Sequence, residues 1–276
     1  MLLLLIPLVN ITMNKILTLI IFSFLSFSIS SCASQVSVLT NISSAKNSFV
    51  KVETWIGVCD GEKDRCMPEE VFSVGSGSMI MYGNKKSILT AAHVCSTGPM
   101  GERIEKAGGT VTLKVVDRDG KSHIAEIIRM DREIDTCLLS APSLDVPALR
   151  MSTKRPEYAE IVFNIASPMG IAEGDMVPIF QGIFFGDSKR NAFYSIPTMG
   201  GASGSPILNF KGEVVGMVHS VHYRFHHVSL SVRYTDLWNF LESSRSHTTV
   251  LQNLCPHLGC EQSRIEEFLL EYETFE

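Results

Sequence analysis

The sequence predicts an all-β protein whose last regular element is a short helix. From Val52 onward, short runs rich in strand-forming residues recur along the chain, and turn-forming residues separate them. The helix is expected over residues 234–243, where Leu237, Phe240 and Leu241 share one face. A length of 276 residues is enough for one or two domains of this kind.

The strand-like runs fall into two groups in chain order. The first group begins at Val52 and continues through residues 71–82, 110–116 and 122–130 and the apolar run after Asp135. Gly83-Asn84 and residues 117–120 supply turns within this group. The second group comprises residues 160–165, 177–185, 192–196, 206–209, 214–221 and 228–234. Residues 209–212, Asn-Phe-Lys-Gly, predict a hairpin turn between two of its strands.

The N-terminus has the pattern of an export signal. Residues 1–31 carry one charge, Lys15, and an apolar run over residues 16–29 leads to two serines and Cys32. Three interpretations stay open: acylation of Cys32 after lipobox cleavage, ordinary cleavage near Ala33, or a retained membrane anchor. All three predict an exported protein of the cell envelope. The predicted division is residues 1–32 as signal or anchor, 33–50 as linker, 51–243 as the main domain and 244–276 as a C-terminal extension.

The cysteines suggest two small closed loops and leave one pair undecided. The close pairs are Cys59 with Cys66 and Cys255 with Cys260. Cys95 and Cys137 could approach one another, or each could be a free buried thiol. His257 lies between the last two cysteines, but no second ligand pair of zinc-finger spacing accompanies it. The sequence therefore predicts no metal site and no cofactor.

Residues 200–206, Gly-Gly-Ala-Ser-Gly-Ser-Pro, surround Ser203 with small residues. Glycine permits backbone conformations that direct neighbouring N–H groups at one point, as a site for a developing oxyanion requires. A Gly/Ser cluster alone is more often a plain turn. Ser203 therefore needs partners before it can be interpreted as a nucleophile.

Two further segments supply candidate partners. In residues 87–95, an apolar strand-like run ends in Thr-Ala-Ala and then His93. Asp135 stands immediately before the apolar run over residues 136–139, where its carboxylate would be partly desolvated. Taken singly, His93 could be a core histidine and Asp135 a turn cap. Together, in the order His, Asp, Ser, they predict a catalytic triad.

These segments, together with residues 75–80 (Gly-Ser-Gly-Ser-Met-Ile), resemble those of the trypsin-like serine proteases. The similarity is greater to the bacterial branch that contains HtrA-type and glutamyl endopeptidases. The resemblance covers roughly residues 51–243 and implies two six-stranded antiparallel β-barrels of the chymotrypsin type with a C-terminal helix. The active site would lie in the cleft between the barrels. Residues 244–276 are too few for a PDZ module.

The resemblance implies a serine endopeptidase that forms an acyl-enzyme. Ser203 would be the nucleophile, His93 the general base and Asp135 the group that orients the imidazole, while the N–H groups of Gly201 and Ser203 would form the oxyanion hole. Two alternatives remain: a catalytically silent protease-like protein that binds ligands at the cell surface, and an esterase that uses the same triad. Ala202 stands where the family more often has Asp or Asn, which argues against activation through an internal ion pair.

The substrate pocket is predicted with less support than the triad. By resemblance, its wall would include Thr198, Val218, His219 and Ser220. No acidic residue lies within residues 195–199, which disfavours specificity for Lys or Arg. Glutamyl endopeptidases use the histidine of a Gly-x-His pattern to receive a substrate carboxylate. Here two residues separate Gly216 from His219, so the histidine lies one residue later than in that pattern. Acidic specificity and a preference for small or apolar residues therefore both stay open.

Composition narrows the class of partner. The chain carries 24 Lys and Arg against 29 Asp and Glu, a net charge of −5, and such an acidic balance argues against a nucleic acid as the main partner. The expected partners are a protein or peptide substrate and a membrane, reached through the N-terminal lipid or anchor. His219, His222, His226 and His227 could suggest a metal, but alternation on an exposed strand explains them better.

Overall fold

The computed structural model describes residues 37–60, 65–66 and 68–243. The predicted signal segment, Cys32 with it, and the predicted C-terminal extension with Cys255 and Cys260 lie outside the described residues. Residues 37–44 belong to one compact unit and the described residues from Ala45 onward to a second. None of the helices in the described part is long and apolar enough to cross a membrane.

The interval predicted as a linker contains regular structure. Helix α1 covers residues 37–45, and within it the Ser44 hydroxyl donates to the Asn41 carbonyl at 2.9 Å. A 3₁₀ turn follows over Lys46–Ser48, and strand β1 begins at Phe49. The first strand thus starts two residues before the predicted domain boundary at residue 51.

The first group of strands forms an eight-stranded sheet. Its path is β7-β6-β1-β4-β5-β9-β8, and β10 pairs in parallel with β4. The strands are β1 Phe49–Gly57, β4 Glu70–Tyr82, β5 Lys85–Thr90, β6 Thr110–Val116, β7 Ser122–Ile124, β8 Glu126–Asp131, β9 Thr136–Ser140 and β10 Leu149–Arg150. A separate two-residue hairpin, β2 Cys59–Asp60 with β3 Arg65–Cys66, sets Cys59 opposite Cys66.

The two ends of this sheet meet at Ala125. This residue alone separates β7, which pairs with β6, from β8, which pairs with β9. Ala125 N donates to Leu113 O on β6 at 2.9 Å. The predicted single strand over residues 122–130 is therefore one bent segment that serves both ends of the sheet. The predicted count of six strands differs from the observed eight because of this bend and the short β10.

The second group forms a closed six-stranded barrel, as predicted. Its order is β11-β12-β13-β16-β15-β14, and the strands are β11 Ile161–Ile165, β12 Ile179–Asp187, β13 Ala192–Tyr194, β14 Pro206–Leu208, β15 Val214–His222 and β16 Phe225–Ser231. Its core is a cluster of buried apolar side chains that includes Phe184, Tyr194, Ile196, Ile207, Val215 and Val218. The hairpin turn at residues 209–212 is confirmed, since Gly212 N donates to Asn209 O at 2.9 Å. The final helix, α4, covers residues 234–243 as predicted.

Two helices lie between strands β5 and β6 of the first sheet. Helix α2, Ala92–Cys95, is a single turn after β5, and helix α3, Gly98–Lys106, follows it. Sequence reasoning missed α3 because it opens with Gly98 and Pro99, which are ordinarily turn signals. Proline is tolerated in the first turn of a helix because its missing N–H would have no partner there. The all-β fold class is nevertheless confirmed.

Candidate active site

His93 lies at the point where strand β5 gives way to helix α2. Ala91 is extended (φ −81°, ψ 147°), and Ala91 and Ala92 are both buried. Small side chains are needed there because the backbone turns within the protein interior. The turn directs the His93 side chain outward, so that it is about half exposed. The alanines that precede His93 thus allow a rigid, buried turn to present an accessible imidazole.

Asp135 lies in the turn between β8 and β9. The Asp131 carboxylate shapes that turn by accepting hydrogen bonds from Glu133 N at 2.9 Å and Ile134 N at 3.2 Å. Asp135 itself has φ 53°, a left-handed conformation that aspartate tolerates better than most residues. Its Oδ2 is 2.8 Å from His93 Nδ1, and its Oδ1 accepts from His93 N at 2.9 Å. Both oxygens therefore bind the same histidine.

The electrostatics of this pair favour a charged carboxylate. Burial by itself would raise the pKa of Asp135, but the hydrogen bonds from His93 outweigh it, so this pKa lies below its ordinary value. An ionised carboxylate only accepts hydrogen bonds, so His93 Nδ1 carries a proton. In a neutral imidazole, Nε2 is then the unprotonated nitrogen, as a general base requires.

Ser203 lies in a loop that abuts strand β4 of the first sheet. Ser76 N donates to Ser203 O at 2.7 Å. Gly204 has φ 88°, and a Cβ there would lie 2.0 Å from Ser76 O and 2.2 Å from Thr90 Oγ1. Only glycine fits this close approach. The loop therefore packs against the same sheet that carries His93 and Asp135.

The Ser203 hydroxyl donates to the carbonyl oxygen of His219 at 3.3 Å. Within the described part of the chain it makes no hydrogen bond to His93. Catalytic hydrogen bonds are often long or unmade without substrate, and rotation about χ1 redirects a serine hydroxyl at small cost. The structure thus joins the predicted base, His93, to the predicted acid, Asp135, and holds the Ser203 hydroxyl in a different hydrogen bond.

The backbone N–H groups of residues 201–204 differ in whether they have an acceptor among the described residues. Ala202 N donates to Met199 O at 3.1 Å, and Gly204 N donates to Val218 O at 2.7 Å. Among the described residues, the N–H groups of Gly201 and Ser203 have no acceptor. Two unpaired N–H groups around a lone serine can receive a developing negative charge.

His219 contacts Asp135, the predicted acid. Its Nδ1 is 3.8 Å from Asp135 Oδ2, and its Nε2 is 3.1 Å from Asn191 Oδ1. Burial lowers the pKa of this imidazole, although Asp135 opposes that effect. A neutral ring turned towards an acid is a poor receptor for a substrate carboxylate. Sequence reasoning missed Asn191 because no motif marks it and only the β12–β13 hairpin brings it near.

The other predicted pocket residues are placed differently from one another. The Val218 side chain is 1% exposed and belongs to the barrel core, so it can reach the site only through its backbone. Thr198 is buried, and its Oγ1 has no hydrogen-bond partner among the described residues. Ser220 is half-buried on β15. Within the described ranges, no group of three His, Cys, Asp or Glu side chains could hold a metal ion.

A disulfide joins Cys95 to Cys137. Sequence reasoning left this pair undecided between a disulfide and free thiols. Cys95 is two residues after His93, and Cys137 is two residues after Asp135. The bond therefore joins the segment that carries His93 to the segment that carries Asp135. Its two cysteines are buried, with at most 8% of their surface exposed.

We expect the Cys95→Ala/Cys137→Ala variant to unfold at lower temperature and to lose activity several-fold. A native disulfide of this kind stabilises by about 2–4 kcal/mol, and its loss also lets His93 and Asp135 move relative to one another. Thermal unfolding and peptide turnover measure the two effects. Non-reducing digestion should yield a peptide that links Cys95 to Cys137; two alkylated thiols at these positions in the native protein would contradict the assignment.

The comparisons with known proteins agree with the predicted fold and with the predicted protease family. A family model for a trypsin-like peptidase domain matches residues 75–217. HhoB of Synechocystis sp., a protein whose name assigns it to the serine proteases, is 26% identical over an alignment of 152 residues, which covers 52% of this chain and 34% of that protein. The serine endoprotease from Yersinia pestis has a similar fold: TM-score 0.56, 16% identity, with 75% of this chain and 65% of that chain covered.

The match covers only part of the length of each of these two relatives. The chain spans about a third of the length of HhoB and 65% of the Yersinia chain. The family match, in contrast, covers more than half of this chain and includes His93, Asp135 and Ser203. The resemblance that the sequence motifs predicted is therefore confirmed, and the chain belongs to the family of trypsin-like peptidase domains.

Proposed function

We propose that this protein is a serine endopeptidase that hydrolyses peptide bonds through His93, Asp135 and Ser203. The observation that carries the proposal is the double contact of Asp135 with His93, at 2.9 Å to the backbone N and 2.8 Å to Nδ1. A carboxylate that accepts hydrogen bonds from both the backbone N and Nδ1 of His93 fixes the position of the imidazole and its tautomer. A general base needs both constraints, because its imidazole must present an unprotonated Nε2 to the nucleophile.

Acylation begins when the Ser203 hydroxyl turns from His219 O towards His93 Nε2. The hydroxyl oxygen forms a bond to the substrate carbonyl carbon while its proton passes to Nε2, and the carbonyl oxygen becomes an oxyanion. The N–H groups of Gly201 and Ser203 receive that oxyanion. His93 then returns the proton to the amine as the C–N bond breaks, which leaves an acyl-enzyme on Ser203.

Deacylation repeats these steps with water. His93 takes a proton from the water molecule, whose oxygen attacks the acyl carbon, and the bond to Ser203 Oγ breaks as the serine recovers its proton. Asp135 stays ionised throughout and stabilises the imidazolium that forms twice per cycle. Its lowered pKa is consistent with that role.

One observation favours a second candidate, a protease-like protein that binds but does not turn over. The Ser203 hydroxyl is bonded to His219 O and not to His93. If that bond persists when a peptide is present, the nucleophile is not activated. The chain would then be a surface binding protein that retains the geometry of a peptidase.

Reaction with a fluorophosphonate separates the two candidates. We expect the folded protein to take up one phosphonyl group at Ser203, seen by intact mass and peptide mapping, because the reagent needs an activated serine and an oxyanion hole. The Ser203→Ala variant and the heat-denatured protein should take up none. Absence of label in folded protein that has Ser203 exposed would favour the binding protein.

We also propose that the protein is exported and attached to a membrane through its N-terminus. The support is the apolar run over residues 16–29, followed by small residues and Cys32. The peptidase would then act on proteins or peptides of the cell envelope. Membrane fractionation of cells that make the wild type or Cys32→Ser is the direct test, since an equal distribution of the two would exclude lipid attachment at Cys32.

A further inference from the structure

Ser76 lies on β4 of the first sheet, is fully buried, and contacts the nucleophile loop of the second barrel. Its hydroxyl donates to Gly201 O at 2.7 Å and accepts a hydrogen bond from Ser167 N at 2.9 Å. One hydroxyl therefore bridges two loops that are separate in sequence. The triad uses neither contact.

Gly201 belongs to a turn whose conformation decides the direction of its N–H. Ala202 N bonds Met199 O, and Gly201 has φ 91°, which together define a type II turn over residues 199–202. A type I turn keeps the same closing hydrogen bond but has the central peptide rotated by about half a turn. That rotation would carry the Gly201 N–H away from Ser203. The hydrogen bond from Ala202 N to Met199 O is therefore compatible with either turn type.

Contacts from outside the turn hold the peptides on both sides of Gly201. Met169 N donates to Gly200 O at 2.7 Å, which fixes the peptide between Gly200 and Gly201. In a trans peptide the N–H points opposite to the C=O, so this bond directs the Gly201 N–H to the other side. Ser76 Oγ fixes the next peptide through Gly201 O.

The segment over residues 167–169, which supplies Met169 N, has a strained backbone that other contacts must hold in place. Met169 has φ 54°, a left-handed conformation that is unfavourable for a side chain of this kind. A Cβ on Gly201 would lie 2.5 Å from Ser167 O, so the segment and the turn are in close contact. The bond from Ser167 N to Ser76 Oγ anchors this segment two residues before Met169.

We propose that the Ser76 hydroxyl is a positioning group for the oxyanion hole: it holds Gly201 O and Ser167 N so that the Gly201 N–H points towards the reacting carbonyl. This inference rests on the proposed function. Ser76 touches no reacting atom and acts through Gly201. Loss of its hydroxyl should let the central peptide of the turn rotate, while His93, Asp135 and Ser203 keep their own contacts.

Ser76→Ala is the test, and Ser78→Ala is its matched control. Ser78 lies two residues along the same strand and is also fully buried, but its hydroxyl has no hydrogen-bond partner among the described residues. We expect Ser76→Ala to lower kcat/KM for a peptide about 10- to 100-fold, since loss of a whole oxyanion donor costs about 10²- to 10³-fold. Ser78→Ala should stay within about twofold of wild type.

A peptide aldehyde distinguishes positioning from simple loss of folded protein. It forms a hemiacetal with Ser203 whose oxygen occupies the oxyanion hole, so its Ki should rise by a factor similar to the fall in kcat/KM. A smaller folded fraction lowers the apparent kcat but leaves Ki unchanged. A Ser76→Ala variant with the wild-type aldehyde Ki would overturn the inference.

Two further variants keep the outcomes separate. If Ser76→Ala does not fold, Ser76→Cys is measured instead, since a thiol fills the site but donates only weakly, and the same two readings decide. Ser203→Ala in the same assay tests the proposed function itself. Undiminished turnover in Ser203→Ala would overturn that function, whereas loss there with wild-type behaviour in Ser76→Ala would overturn only the inference about Ser76.

Discussion

Ser203→Ala and His93→Ala should each lower peptide turnover by about 10⁴- to 10⁶-fold. The first removes the atom that forms the acyl-enzyme, and the second removes the acceptor of its proton. Both variants should still fold, because neither side chain is part of the buried cores. The measurement is kcat on a fluorogenic peptide, with thermal unfolding recorded for each variant.

The double variant sharpens this result. Because the two residues act in one proton transfer, Ser203→Ala/His93→Ala should be about as slow as either single variant, and the effects should not multiply. Residual turnover would then reflect the oxyanion hole and binding alone. A double variant slower than each single variant by a further factor of thousands would mean that the two side chains act independently, against the proposed triad.

A second cluster of one histidine, one serine and one aspartate provides an internal control. His123 bonds Ser143 Oγ at 2.9 Å through Nδ1 and Asp117 Oδ2 at 3.0 Å through Nε2, so the same three residue types meet elsewhere. The His123 side chain is only 3% exposed, which excludes substrate from it. Ser143→Ala should therefore leave kcat unchanged within about twofold. A large loss of turnover in Ser143→Ala would show that the assay reports general damage to the fold.

The sequence predicts the elements of this fold better than the contacts of its site. Apolar runs separated by turn residues locate the strands because their apolar side chains are buried, as in β9 and β14, and the buried Leu237, Phe240 and Leu241 locate α4 in the same way. The bend at Ala125 was not predictable, since it depends on β6 and β9 pairing with two halves of one segment. Helix α3 was missed because Gly98 and Pro99 are local turn signals.

For the candidate site, the sequence indicates which residues to consider but not how their side chains are oriented. The motifs around His93, Asp135 and Ser203 carry the residue types and small neighbours that the chemistry needs. The hydrogen bond from Ser203 to His219 O and the contact of His219 with Asp135 depend on how β15 passes the loop. The bond from Ser76 to Gly201 joins residues 125 positions apart, and no local pattern encodes such a contact.

Asp135→Asn should lower turnover by about 10⁴-fold while the backbone geometry is kept. The amide oxygen can still accept from His93 N, but its NH₂ then faces Nδ1 and donates to it. His93 would carry its proton on Nε2, the wrong nitrogen for a general base. Asp117→Asn, at the buried His123, is the matched control and should leave kcat within about twofold of wild type.

The same substitution should change how stability depends on pH. The pKa of Asp135 in the folded protein lies below its ordinary value, so in the unfolded chain the carboxyl binds its proton more readily. Its contribution to stability is present above the unfolded pKa and is lost as pH falls through the folded pKa. Thermal unfolding of Asp135→Asn should therefore depend less steeply on pH in the acid range than that of wild type. Equal slopes, together with turnover within tenfold of wild type, would show that the Asp135 carboxylate does not support His93 as proposed.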